Sequence, residues 1–213
     1  MLQLQQLNPE FLQYKTNPPV SDIWQQQVGF DSGSYVHLQA PSGSGKSTLV
    51  QMLYGIPKPY SGNILLKDRN VKTLDAETLA EARRTSLSIV FQDLRLFPDL
   101  TVMENLALKQ LQTNTVATAT ITEWAHRLHI DPLLNRACHT LSMGERQRVA
   151  IIRALCQPFE WLLMDEPFSH LDQHNIALAS QLILERVKTL GAGFILADLE
   201  HDTHFPYTRQ LRL

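Results

Sequence analysis

The stretch that decides the fold is Ser42-Gly43-Ser44-Gly45-Lys46-Ser47-Thr48, which follows an apolar strand pattern over residues 36–40. Apolar residues at helical spacing come next, from Leu49 onward. Glycines let backbone amides close around an anion, and the start of a helix adds partial positive charge. Lys46 can then reach the β- and γ-phosphates of a nucleotide, and the Ser47 hydroxyl can bind Mg²⁺. The predicted phosphate-binding residues are Pro41, Ser42, Gly43, Ser44, Gly45, Lys46, Ser47 and Thr48.

One position departs from the general phosphate-loop motif, which has glycine five residues before Gly45. Ala40 stands there, and its methyl group is compatible with the loop if its φ is negative. A plain Gly/Ser turn between strand and helix is the alternative interpretation of this stretch.

A second candidate element is the apolar strand Trp161–Met164, which runs into Asp165-Glu166-Pro167. In phosphate-loop enzymes the first carboxylate holds Mg²⁺ through water, and the second can polarise the attacking water. Alternation along a strand predicts that Asp165 and Glu166 point to opposite sides. Without the phosphate loop, the same residues would also suit an ordinary turn.

A third element is Leu141-Ser142-Met143-Gly144-Glu145, which precedes an apolar helix pattern. Ser142 with Glu145 three residues later is typical of a capping box, so helix capping alone explains this pair.

Composition limits the function classes. The 213 residues carry a net charge of −2, which gives no electrostatic footprint for nucleic acid or for an anionic membrane surface. No apolar run approaches the roughly 18 residues of a membrane span, and the start of the chain lacks a secretory signal. Cys138 and Cys156 are too few for a disulfide framework. We therefore expect a cytoplasmic protein without direct membrane insertion.

Strand and helix patterns alternate in the first and last parts of the chain, which predicts an α/β fold with a largely parallel sheet. Residues 94–158 are instead mostly helical in pattern, with helices expected over Asn105–Gln112 and Ile121–His129. Pro18-Pro19 predicts a turn.

Five motifs in this order and spacing resemble the ATP-binding subunits of the ATP-binding cassette (ABC) transporter family, across essentially the whole chain. The motifs are residues 42–48, Phe91-Gln92-Asp93, the signature Leu141–Glu145, the strand ending in Asp165-Glu166, and Ser169-His170-Leu171-Asp172. The resemblance implies one domain over residues 1–213, with a P-loop NTPase core and mostly parallel sheet, an N-terminal antiparallel β part, and a helical subdomain inserted at about residues 94–158.

The resemblance also implies a site that two chains share. Two cassettes pair head to tail and sandwich two ATP molecules, so Ser142 and Gly144 would touch the γ-phosphate of the partner's ATP. Gln92 would contact Mg²⁺ and the attacking water, and Glu166 would act as the general base. Ser47, Gln92 and Asp165 are the implied Mg²⁺ ligands. Residues 169–172 would line the dimer interface, and Leu96-Phe97-Pro98 lies where the helical subdomain offers a groove to a membrane permease.

Three positions stay open. Met143 and Glu145 replace the usual Gly and Gln of the signature. The family stacks an aromatic ring on adenine, for which Tyr14 is the candidate and Phe11 the rival. Its switch histidine aligns with Ala197, although His201 can serve if the preceding loop is shifted.

The predicted function is an ATPase subunit that uses ATP and Mg²⁺ to drive solute movement through a separate permease. It would lie on the cytoplasmic face of the membrane through that permease, as a dimer with a second cassette, and without nucleic acid. Ala40 and Ala197 motivate an alternative, a nucleotide-gated regulatory cassette with weak hydrolysis. A soluble cassette ATPase of repair or translation is disfavoured, because such proteins usually carry paired cassettes or coiled-coil insertions.

Overall fold

The computed structural model describes residues 1–14, 20–113 and 115–213. The turn predicted at Pro18-Pro19 lies outside these residues. The described residues form two sheets, and the N-terminal one is antiparallel, as the family resemblance implies. In spatial order its strands are β2 (Gln27–Phe30), β1 (Leu2–Pro9), β4 (Tyr60–Leu66) and β5 (Arg69–Asn70).

The second sheet is parallel throughout, which confirms the predicted α/β class. In spatial order its strands are β6 (Leu87–Val90), β7 (Trp161–Asp165), β8 (Gly193–Asp198), β3 (Tyr35–Gln39) and β9 (Arg209–Arg212). β6 and β7 are buried along their whole length, as expected for parallel strands covered on both faces.

Helices cover both faces of the parallel sheet. They are α1 (Lys46–Leu53), α2 (Ala76–Thr85), α3 (Val102–Thr113), α4 (Thr118–Arg127), α5 (Met143–Leu155) and α6 (Gln173–Leu190). Short 3₁₀ turns occur at Glu10–Tyr14, Val71–Thr73, Asp131–Leu133 and Cys138–Thr140. Among the described helices, none is both long and apolar enough to cross a membrane.

Strand alternation divides the core into two apolar clusters. Phe194 and Leu196 of β8 pack with α5 and α6 on one face, and Ile195 and Ala197 pack with α1 on the other. α6 begins at Gln173, where the Asp172 side chain accepts a hydrogen bond from the backbone of the first helical turn.

The segment between β6 and β7 contains α3, α4 and α5, whose buried residues join the same cluster as α6. α3 and α4 include most of the two helices expected from periodicity. The division of the chain into one domain with a helical insertion stays a prediction.

The carboxyl ends of β3, β6, β7 and β8 meet at one edge of the parallel sheet. Loops that leave this edge carry the phosphate-loop motif, Gln92, the Asp165-Glu166 pair and the segment after Asp198. This is the edge at which open α/β sheets bind their ligands.

Candidate active site

The phosphate loop turns directly from β3 into α1. Gly45 has a φ of 103°, a conformation that favours glycine, and a Cβ there would lie 2.4 Å from Cζ of Phe11. Lys46 is 5% exposed, and its Nζ donates to the carbonyl of Ala40 at 3.0 Å. The same Nζ lies 3.2 Å from Oε1 of Glu166. The loop therefore holds its lysine between main-chain carbonyls and a carboxylate.

Ala40 fits the loop without strain. Its φ is outside the left-handed region, and its methyl group is fully buried in the cluster that covers α1. Its backbone N–H donates to the carbonyl of Asp198 at 3.0 Å, which ties the start of the loop to the end of β8.

Three side chains form a hydrogen-bonded chain across the site. The Ser47 hydroxyl donates to Oε1 of Gln92 at 3.1 Å, and Nε2 of Gln92 donates to Oε2 of Glu166 at 3.1 Å. The amide oxygen of Gln92 accepts from Ser47 and its NH₂ group donates to Glu166, so Gln92 links the Ser47 hydroxyl to the Glu166 carboxylate.

The expected opposite orientation of Asp165 and Glu166 is wrong. β7 ends at Asp165, and Glu166 has a φ of 47°, so the strand alternation stops between them. Its carboxylate turns back to Lys46, and Asp165 lies beside Ser47. Both carboxylates therefore face the phosphate loop.

Asp165 is buried, and burial raises the pKa of its carboxyl while the nearby Ser47 hydroxyl opposes that shift. Its Oδ1 has no hydrogen-bond partner among the described residues. A hydroxyl, an amide carbonyl and a buried carboxylate with an unsatisfied oxygen form an oxygen-only donor set, which suits Mg²⁺.

These groups surround a cavity of about 350 Å³. The lining residues are Phe11, Ser42, Gly43, Gly45, Lys46, Ser47, Thr48, Gln92 and Glu166. Pro41 and Ser44 belong to the loop but lie outside this lining, and Ser44 is buried. Tyr14 is also outside it: its ring is 78% exposed, and its hydroxyl reaches Glu10. The rival aromatic Phe11 is the one that the structure brings to the loop.

The signature lies at the start of α5, away from the lining of this cavity. Both hydrogen bonds of the predicted capping box are present between Ser142 and Glu145. The Glu145 carboxylate accepts from the Ser142 N–H and hydroxyl, which holds the pKa of this carboxyl below its usual range. Gly144 lies against the turn after β7, since a Cβ there would be 2.8 Å from the His170 carbonyl oxygen.

Sequence reasoning missed Gln147, a buried residue of α5. Its Nε2 donates to the Glu166 carbonyl at 3.2 Å and to Oγ of Ser169 at 3.3 Å. Its Oε1 accepts from the His170 backbone at 2.9 Å. The side chain thus connects the signature helix to the backbone of Glu166. In the sequence, the only indication of this role is that Gln147 lies within the helix pattern that follows the signature.

A second cavity, of about 360 Å³, shares Glu166 with the first. His201 lines it, and Ala197 does not. Ala197 lies within β8 between Leu38 and Asp165, and its methyl group is fully buried. The choice between Ala197 and His201 for the switch position stays a prediction. Asp198 and Leu199 are the first residues after it that line this cavity.

A strand, phosphate loop and helix, with a glutamate and a glutamine joined beside the loop lysine, define a phosphate-loop NTPase. The chain matches the family described as ABC transporter over residues 25–169, and it belongs to that family. The predicted ATPase class and its nucleotide, ATP, are thereby confirmed.

Relatives span most of the chain. It is 32% identical over 198 residues to the lipoprotein-releasing system ATP-binding protein LolD of Buchnera aphidicola, which covers 90% of this chain and 84% of the relative. It is 36% identical over 197 residues to the thiamine import ATP-binding protein ThiQ of Vibrio vulnificus, covering 89% and 78%. Among solved structures, the dimeric ATP-binding cassette MJ0796 bound to ADP and Pi has a TM-score of 0.79 at 25% identity, over 94% of this chain and 88% of that one.

Proposed function

We propose that this chain is the ATP-hydrolysing subunit of a membrane transporter and that it energises solute movement through a separate permease. The observation that carries the proposal is the linked set of Ser47, Gln92, Glu166 and Lys46 at the phosphate loop. The names of LolD and ThiQ, which describe ATP-binding proteins of a release system and an import system, support the transport assignment.

Each residue of the set has a distinct task. Backbone amides of residues 42–48 bind the phosphates, and Lys46 neutralises their charge. Glu166 orients the attacking water and accepts its proton, while Gln92 holds the Glu166 carboxylate toward Ser47. Lys46 contacts Glu166 as well as the loop, so a phosphate that binds Lys46 also meets the glutamate.

Mg²⁺ fits the oxygen donors described above. Ser47, Gln92 and Asp165 would hold the ion, with the Asp165 contact through water. When bound, it neutralises charge that develops on the transferred phosphate.

The active form in this proposal is a head-to-tail dimer. Within the described residues, Ser142 and Gly144 are not part of the cavity lined by their own phosphate loop. A capped helix start is nevertheless an anion site, so each signature would bind the terminal phosphate held by the partner chain. His170 and Leu171 lie beside Gly144, and residues 169–172 would line the interface.

The permease is proposed to dock beside α3. An apolar cavity of about 200 Å³ lies there, lined in part by Phe91, Phe97 and Leu108. Phe97 is 55% exposed, and it belongs to the Leu96–Pro98 stretch predicted to meet a permease. The chain would thereby be held on the cytoplasmic face of the membrane. A net charge of −2 favours a protein partner over nucleic acid.

Ala40 and Ala197 motivate the regulatory alternative with weak hydrolysis. Both methyl groups lie in the core, and neither lines either of the two cavities that meet at Glu166. No observation in the described residues favours this alternative over hydrolysis.

The shared site can be tested by mixing two inactive variants. Lys46→Ala lacks phosphate binding, and Ser142→Arg blocks the signature, so each pure variant should hydrolyse ATP poorly. In a mixed dimer one site combines an intact phosphate loop with an intact signature, so mixing should restore hydrolysis. Continued inactivity of the mixture, with each variant folded by thermal melting, would contradict the head-to-tail arrangement.

A further inference from the structure

Glu166 has an unusual main-chain conformation for its place in the sequence. Its φ of 47° lies in the left-handed region, which is uncommon for residues other than glycine. Pro167 follows it, and a residue before proline favours extended backbone with a negative φ. Two local preferences therefore oppose the conformation that turns the Glu166 carboxylate toward Lys46, so contacts from elsewhere in the fold must hold it.

The main-chain hydrogen bonds of Glu166 show which contacts these are. Its N–H donates to the carbonyl of Ala197 at 2.9 Å, which ties it to β8. Its carbonyl accepts from the Ser169 N–H at 3.4 Å and from Nε2 of Gln147 at 3.2 Å. The Ser169 contact lies within the turn itself. Among the described residues, Gln147 is therefore the one that ties the Glu166 carbonyl to another element of the fold.

The Gln147 side chain binds both ends of the turn after β7. Besides the Glu166 carbonyl, its Nε2 reaches Oγ of Ser169 at 3.3 Å, and its Oε1 accepts from the His170 N–H at 2.9 Å. These contacts use the donor end and the acceptor end of the amide, which fixes its orientation. Gln147 is only 1% exposed, so water does not readily replace these partners.

α5 carries Gln147 to this turn. Gly144 lies about one helical turn earlier on the same face, and a Cβ there would be 2.8 Å from the His170 carbonyl oxygen. The glycine thus permits a close approach of the helix, and the glutamine side chain spans the remaining gap. Because Val149 and Ile152 pack α5 into the core, the amide of Gln147 is attached to a rigid element.

We propose that Gln147 is a positioning residue for ATP hydrolysis, which holds the Glu166 main chain in the left-handed conformation that directs the carboxylate to the phosphate loop. The inference rests on the proposed hydrolytic function of the same site. Gln147 is not among the described residues that line either cavity at Glu166, so it acts through Glu166 and not on the nucleotide. Without its amide the turn can relax toward extended backbone, in which strand alternation directs the Glu166 side chain away from the side of Asp165.

The main test measures kcat and KM for Mg-ATP in Gln147→Leu, which places an apolar side chain of similar size in the same space. The three hydrogen bonds of the amide are then lost. A misplaced general base predicts that kcat falls about 10- to 100-fold. KM should stay within about twofold of the native value, because the contacts of the phosphate loop are unchanged.

Gln157 offers a matched control for the loss of a buried amide. It is also 1% exposed, and its Nε2 donates to the carbonyls of Arg83 and Leu87 at 2.9 Å each. It is not among the described residues that line the two cavities at Glu166. Gln157→Leu and Gln147→Leu should both lower the melting temperature, since each removes hydrogen bonds to main-chain carbonyls. Gln157→Leu should nevertheless keep the native kcat.

Gln147→Glu separates the two ends of the amide. When ionised, the carboxylate keeps the side-chain length and can accept from the His170 N–H, but it cannot donate to the Glu166 carbonyl. We expect a loss of kcat comparable to that of Gln147→Leu, because the contact to Glu166 is the one that positions the general base. This variant also decides the question if Gln147→Leu does not fold.

A double substitution tests whether Gln147 acts through Glu166. Glu166→Gln removes the general base and leaves a low residual rate of hydrolysis. Adding Gln147→Leu should lower that residual rate no further, because its effect passes through a carboxylate that is already missing.

Several results would overturn the proposal. One is a kcat in Gln147→Leu equal to that in Gln157→Leu, and another is native kcat in Gln147→Glu. A further loss on adding Gln147→Leu to Glu166→Gln would show a purely structural role. A raised KM with native kcat would show a direct effect on nucleotide binding instead. Failure of the native chain itself to hydrolyse ATP would reject the proposed function, and this inference with it.

Discussion

Replacing Ala40 with glycine tests whether the alanine at the start of the phosphate loop impairs the site. The substitution restores the residue that the general motif has at this position. The substitution distinguishes the two candidate functions. In a weakly hydrolysing regulatory cassette, removal of the methyl group should strengthen ATP binding or hydrolysis. In the proposed ATPase it should strengthen neither.

The structure predicts a loss of stability. The Ala40 methyl group is fully buried, and its removal costs about 0.8 kcal/mol. Glycine also raises the conformational entropy of the unfolded chain, so the total loss is about 1 to 2 kcal/mol. For a chain of this size that corresponds to a fall in melting temperature of about 2 to 8 °C.

ATP binding should be unchanged within error. The groups of Ala40 that organise the loop are its carbonyl, which accepts from Lys46, and its N–H, which donates to Asp198. Glycine keeps both groups. Ala197→Gly removes an equally buried methyl group from β8 and serves as the matched control for stability.

Thermal melting, ATP titration and steady-state hydrolysis would be measured on the native chain and both variants. If Ala40→Gly binds or hydrolyses ATP at least about tenfold better than the native chain, a gain of about 1.4 kcal/mol, then the alanine does impair the site.

Three further predictions follow from the same geometry. Phe11→Ala should weaken ATP binding by about 1 to 3 kcal/mol, or roughly 5- to 150-fold, because Phe11 lines the cavity. Tyr14→Ala should change ATP binding little, since Tyr14 lies outside the cavity. Equal effects of the two substitutions in an ATP titration would contradict this assignment. Gly144→Ala should lower the melting temperature, because the new Cβ would lie 2.8 Å from the His170 carbonyl oxygen and overpacking costs about 1 to 3 kcal/mol. An unchanged melting temperature would show that the turn containing His170 moves to make room for the methyl group. Chelation of divalent cations should abolish hydrolysis, and Mg²⁺ should restore it; full activity in chelator would exclude the proposed oxygen ligand set.

The main features of the fold were open to prediction because they depend on local patterns. Apolar alternation, a glycine-rich turn and a helical repeat indicate strand, loop and helix without any long-range information. The capping box of Ser142 and Glu145 is likewise local, and its two hydrogen bonds form as the spacing predicts.

The candidate site residues that the sequence could not distinguish lie where distant segments meet. Tyr14 and Phe11 belong to one short turn, and only the approach of that turn to Gly45 distinguishes them. Ala197 aligns with a switch residue by pattern, but the pairing of β8 with β3 and β7 directs its side chain into the core.

Glu166 illustrates a further limit. Strand alternation predicts its side chain on the side opposite Asp165, and a φ of 47° reverses that orientation. Left-handed backbone is uncommon for glutamate and costs on the order of 1 kcal/mol or more, so local propensity argues against it. Such strain concentrates at functional sites, where the surrounding contacts hold it. Here Lys46 and Gln92 supply those contacts.

In the proposed function, Glu166 beside this phosphate loop is the general base of ATP hydrolysis. The most direct measurement is steady-state Mg-ATP hydrolysis by the native chain, by Glu166→Gln, and by Glu123→Gln as an exposed control on α4. Loss of a general base predicts that Glu166→Gln is slower by about 100-fold or more, while it still binds ATP, and that Glu123→Gln matches the native chain. Equal rates for Glu166→Gln and the native chain would show that Glu166 is not the general base.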